Sequence, residues 1–109
     1  MKSLAAFPDS NSMQSFPQPS SYIDNHVLAA NVAESFTKPA GARFVRLSAN
    51  TAYFFNPNAV AVVPSGDVTD GSGSIVGIST ESRTFCVDGV TAISVISVGV
   101  CTISAEWFA

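Results

Sequence analysis

The stretch Cys101-Thr102-Ile103-Ser104-Ala105-Glu106-Trp107 alternates without a break. Cys101, Ile103, Ala105 and Trp107 share one face; Thr102, Ser104 and Glu106 share the other. That is the period of two of a half-buried strand; a helix would repeat its apolar positions every three to four residues. Trp107 is therefore expected in a core. Working outward, Gly99 punctuates, and residues 92–98 are apolar on both faces. Asp88-Gly89 is a tight hairpin turn, preceded by a strand-like run over residues 83–87.

The same grammar runs back through the chain. Ile75, Val76 and Ile78 suggest a short strand after a polar loop, 68–74, punctuated by Asp70-Gly71 and Gly73. Residues 59–63, Ala-Val-Ala-Val-Val, read as a short buried run stopped by Pro64. Residues 52–55 read as a strand with aromatics on both faces, ended by Asn56-Pro57-Asn58. Val45, Leu47 and Ala49 alternate with Phe44, Arg46 and Ser48, after a turn at Lys38-Pro39-Ala40-Gly41. Residues 26–36 read as one strand carrying Leu28, Ala30, Val32 and Phe36 on one face, with Glu34 the exception; their composition also permits a short helix. About eight short strands with turn signals every 8–12 residues predict an all-β fold. The expected architecture is an eight-stranded antiparallel β-sandwich, jelly-roll-like, over residues 26–109.

Residues 1–25 differ. They are rich in Ser, Asn, Gln and Pro, show neither period, and contain Pro8, Pro17 and Pro19, which hold the chain extended. They read as an extended N-terminal arm. Phe7, Met13, Phe16 and Tyr22 are its candidate anchors on a neighbouring subunit; a disordered tail is the alternative reading.

The chain has 109 residues, enough for one domain with one core. Five Lys+Arg stand against eight Asp+Glu, for a net charge of −3. Such a chain cannot neutralise a run of phosphates, so nucleic acid is not an expected partner. A membrane is not expected either, because no stretch reaches the roughly 18–20 apolar residues of a spanning helix. The opening residues stop being apolar at Pro8-Asp9, too soon for the about 7–15 residues of a signal core. Synthesis in the cytosol is expected. Two cysteines exclude a disulfide-dense scaffold. Cys86 and Cys101 are expected as buried, reduced thiols, with a cross-strand disulfide as the alternative.

No catalytic constellation emerges, and the chain is not expected to be an enzyme. His26 is the one histidine and has no partner pattern around it. The acids are scattered, with no pair facing across a cleft. In Asp67-Val68-Thr69-Asp70-Gly71 the acids are three apart, whereas a calcium loop alternates them; turn capping is the reading. No cofactor or metal is expected. Arg43 and Arg46 fall on opposite faces of a strand by parity, and each is expected to extend to an acid on an adjacent strand or across an interface.

Composition carries the functional expectation. Charged residues are 12% against about 25% in ordinary domains, and hydrophobic residues are 47%. Charge is depleted in the same way at interface cores. A sandwich with apolar residues on both faces of its strands needs a partner for one of them. A homo-oligomer, dimer or trimer, is expected, with Tyr53, Phe55 and Arg46 at the subunit interface.

Two motifs sharpen this. Pro39-Ala40-Gly41-Ala42-Arg43-Phe44-Val45-Arg46-Leu47-Ser48-Ala49 leads into the aromatic strand, and Val63-Pro64-Ser65-Gly66-Asp67-Val68-Thr69-Asp70-Gly71-Ser72-Gly73-Ser74 follows it. Over residues 30–109 the chain resembles small structural proteins of tailed bacteriophages. The resemblance implies a β-sandwich virion component, assembled in the host cytoplasm, with no catalytic residues to carry over. It does not fix the position in the virion; capsid decoration (cement), with the major capsid protein or other virion proteins as partners, is the expected role. A neck, tail or fibre-attachment role is the alternative. Independently of the resemblance, Trp107 and Tyr53 raise a second alternative, a carbohydrate-binding sandwich.

Overall fold

A computed structural model describes Met1 and residues 19–109. Eight strands follow in order: β1 (Tyr22–Leu28), β2 (Glu34–Thr37), β3 (Phe44–Ala49), β4 (Tyr53–Asn56), β5 (Ile75–Gly77), β6 (Arg83–Cys86), β7 (Ala92–Ile96) and β8 (Cys101–Phe108). They form two four-stranded antiparallel sheets, β1-β8-β3-β6 and β2-β7-β4-β5. β1 pairs with β8, β2 with β7, β3 with β6 and β4 with β5. The chain thus runs as one long hairpin whose successive pairs alternate between sheets. This is jelly-roll order, and the expected all-β sandwich is the fold.

β8 shows why. It lies inside its sheet between β1 and β3, and its burial alternates along its length. Cys101, Ile103, Ala105 and Trp107 are fully buried; Thr102, Ser104 and Glu106 are half-buried on the outer face. The core between the sheets takes Leu28, Val45, Leu47 and Trp107 from one side and Phe36, Tyr53, Phe55, Ile93 and Val95 from the other. Each large side chain removed from water contributes roughly 1.5–3 kcal/mol, which offsets the ordering of short strands that could not stand alone.

Three local expectations change. Residues 26–36 are not one strand: β1 ends at Leu28, and a turn at Asn31, with φ of 58°, leads into β2. The Asn31 N–H donates to the Ser97 carbonyl, 2.7 Å. Asparagine tolerates this left-handed conformation better than most residues. The first strand instead begins at Tyr22, so residues 22–25, read as arm, are paired with β8. Residues 59–63 form no strand. Ala61 is buried and its N–H donates to Ser94 Oγ, 2.8 Å, while Val60 and Val62 face solvent. Asn56 Oδ1 accepts from the Asn58 and Ala59 N–H groups and turns the chain out of β4 before a ladder can form.

Candidate functional site

The charged groups are mostly engaged within the chain. Arg46 on β3 forms a two-pronged pair with Glu106 on β8, Nε to Oε1 at 3.0 Å and Nη2 to Oε2 at 2.7 Å. The two residues stand directly opposite in the ladder. The Ser20 N–H donates to Glu106 Oε2, and Ser20 Oγ donates to the Trp107 carbonyl. Hydrogen bonds from Arg46 hold the Glu106 carboxyl below its ordinary range, against the opposing pull of burial. Arg43 reaches Asp88 at 3.8 Å. Both arginines therefore meet acids on neighbouring strands or turns of the same chain.

The single histidine closes the edge between the two sheets. His26 Nδ1 lies 2.9 Å from Glu34 Oε1, and its ring packs edge-on against Phe36 with centroids 4.4 Å apart. No hydroxyl or thiol nucleophile bonds to it among the described contacts. Asp24, on the inner row of β1, accepts the Trp107 Nε1–H at 3.0 Å. Asp70 is bonded by the Ser72 N–H and hydroxyl, which lower its pKa. That is the turn chemistry expected of the loop. Among the described residues, no three potential metal ligands come together.

Of the expected interface residues, Tyr53 and Phe55 are buried in the chain's own core. Both point inward because the aromatic strand presents its odd-numbered residues to the opposite sheet; Phe55 stacks on Phe85 with centroids 5.3 Å apart. Arg46 is tied to Glu106 on its own chain. Trp107 and Tyr53 are both buried, so neither ring offers a sugar-stacking face. Cys86 is exposed and Cys101 buried, and both are free, which corrects the expectation for Cys86. Tyr22 is exposed on β1. Phe7, Met13 and Phe16 lie outside the described residues.

What the surface does offer is apolar side chains in three places. The first is β1, with Tyr22, Ile23 and Val27 exposed. The second is one end of the sandwich, where the β1–β2, β5–β6 and β7–β8 loops present Val32, Ile78, Val98 and Val100. The third is the long β4–β5 loop and β5 itself, with Val60, Val62, Val68, Ile75 and Val76. A groove of about 390 Å³ opens there, lined by Val62, Pro64, Val68 and Ser74 among others, with no charged group on its wall. These surfaces can bury area against protein. Ile23 falls in the stretch whose Ser- and Pro-rich composition reads as an arm, and Val27 lies on the face opposite Leu28, so the outward row they share spans two differently read segments.

Comparison of the chain with protein families, curated proteins and solved structures finds no match.

Proposed function

We propose that this protein is a structural component of a phage virion, acting as a capsid decoration protein. It binds the outer shell and stabilises contacts between capsid subunits. One observation carries the reading: a small, sparsely charged sandwich displays aliphatic side chains at three separate surface regions, while Arg43 and Arg46 are tied to Asp88 and Glu106 within the chain. Side chains so disposed favour burial against other proteins over life as a free monomer. The jelly-roll order adds support by analogy only, since capsid domains share it with lectins and enzymes. The stabilising mechanism is area burial, roughly 25 cal/mol per Å² less the cost of ordering, multiplied over many copies.

The test is co-sedimentation of the purified chain with empty capsids, together with its copy number in purified particles. Decoration requires copies on the scale of the whole shell. A number matching a single ring moves the chain to the neck, tail or fibre base, and absence from particles ends the virion reading.

A further inference from the structure

Three of the four sheet edges are blunted. β5 has three residues. β2 has four and runs into Lys38-Pro39. β6 has four and carries Arg83 on its inner row, the guanidinium over the Phe55 ring at 5.9 Å. Short length, proline and inward charge are the usual devices against edge-to-edge pairing. β1 is built differently. It has seven residues, no lysine and no proline, and keeps an unbroken register with β8 from Tyr22↔Trp107 to Leu28↔Cys101. Its even-numbered residues face the core side. Its odd-numbered residues, Ile23, Asn25 and Val27, form the outer row, with Ile23 51% and Val27 67% exposed.

We propose that β1 is a self-association edge: two copies pair β1 against β1, antiparallel, about a two-fold axis through Asn25. Two four-stranded sheets then become one continuous sheet. The side chains select this register. Residues directly opposite in a ladder lie on the same face, so a one-residue slip would set core-facing residues against outward ones. Among face-matched registers, an axis through Asp24 sets that acid against itself, and an axis through His26 sets Asp24 against Leu28. The axis through Asn25 uses all seven residues. It sets Asp24 of each copy against His26 of the other, acid against imidazole, and Ile23 against Val27 twice on the outer face. Like charges directly opposite disfavour a pair, whereas a carboxylate facing a ring N–H donor and two apolar side chains facing each other are compatible with one. A two-fold interface must be self-complementary in this way.

The proposal rests on the assembly reading only for the existence of a second copy, and the experiment separates the two. Sedimentation velocity of the full chain over a concentration series is expected to show reversible dimers. Val27→Lys and Ile23→Glu, each exposed and each checked for native circular dichroism, are expected to raise the dimer dissociation constant about tenfold or more. Mixing the two variants is expected to restore dimers, because Glu at 23 then meets Lys at 27 across the axis. Asn25→Cys in a Cys86→Ser background is expected to cross-link on oxidation, since opposed Cα atoms in a ladder lie within about 4.5–5.5 Å. Dimers that persist unchanged in Val27→Lys, or an Asn25→Cys chain that does not cross-link, overturn the β1 interface and leave the virion reading standing. A full chain that stays monomeric overturns β1 pairing, and retained capsid binding by that monomer keeps the virion role.

Discussion

The ring of Tyr53 occupies the space that a side chain on Gly77 would need. The two residues stand opposite each other in the β4–β5 ladder. A Cβ on Gly77 would fall 2.6 Å from Tyr53 Cε1 and 2.7 Å from its hydroxyl. An aromatic ring laid over a strand glycine covers backbone that would otherwise lack a packing partner. The pair fastens β5, the shortest strand, to the core.

Gly77→Ala is therefore expected to destabilise the protein by about 2–3 kcal/mol, the upper range for overpacking a tight site. Urea unfolding followed by tryptophan fluorescence measures it. A loss below half a kcal/mol, about the size of an ordinary surface substitution, would show that the ring moves aside freely.

The Tyr53 hydroxyl is buried and meets no polar partner among the described residues. Burial raises its pKa above 10.0, with Arg83 pulling the other way. Tyr53→Phe removes a polar group while keeping the ring over Gly77, and is expected to leave stability unchanged or raise it by about 1 kcal/mol. The folded chain holds the neutral phenol where the unfolded chain ionises, so this contribution is complete below pH 10.0 and is lost as pH climbs to the raised folded value. The wild type is expected to lose stability above pH 10 more steeply than Tyr53→Phe, read from thermal melts across that range.

The Arg46–Glu106 pair makes the opposite prediction in acid. The Glu106 pKa is lowered from 4.5 in the folded chain, chiefly by hydrogen bonds from Arg46. Its contribution is present above 4.5 and disappears as pH falls through the lowered folded value. Glu106→Gln is expected to flatten this acid limb and to cost about 1–2 kcal/mol at neutral pH, in keeping with a half-buried, two-pronged bond. A double-mutant cycle with Arg46→Met checks that the loss belongs to the pair.

The eight-strand sandwich was legible because turn residues bound its short strands and β3 and β8 alternate in sequence, best of all β8. What could not be read was which of two apolar rows faces in. Tyr53, Phe54 and Phe55 are all aromatic, so pattern alone could not rank them. The structure buries Tyr53 and Phe55 and leaves Phe54 half-buried. The β1–β2 break was masked because Ala29-Ala30-Asn31 has no Gly or Pro to mark the left-handed turn. Residues 59–63 look like a strand, yet their fate depends on distant acceptors, Ser94 among them. The surface region on β1 was hidden by the low-complexity residues that precede it.

Asn31 tests that hidden turn. With φ at 58°, a β-branched residue is strained there, whereas glycine is not. Asn31→Val is expected to cost about 1–3 kcal/mol and Asn31→Gly to be nearly neutral, measured as shifts in the urea midpoint. Equal effects would mean that the turn relaxes to a right-handed form.

Asp24 separates folding from association in one position. Its carboxylate accepts the N–H of Trp107, the only tryptophan in the chain, at 3.0 Å. Asp24→Ala leaves that buried N–H without an acceptor and is expected to cost about 1–3 kcal/mol, visible in the tryptophan emission. Asp24→Asn keeps an acceptor oxygen within reach, so its stability is expected to stay close to wild type. It nonetheless removes the charge set against His26 of a second copy, so its dimer is expected to weaken while its melting temperature holds. If Asp24→Asn lowers stability as much as Asp24→Ala, the carboxylate charge itself, beyond simple acceptance, stabilises the fold at this edge.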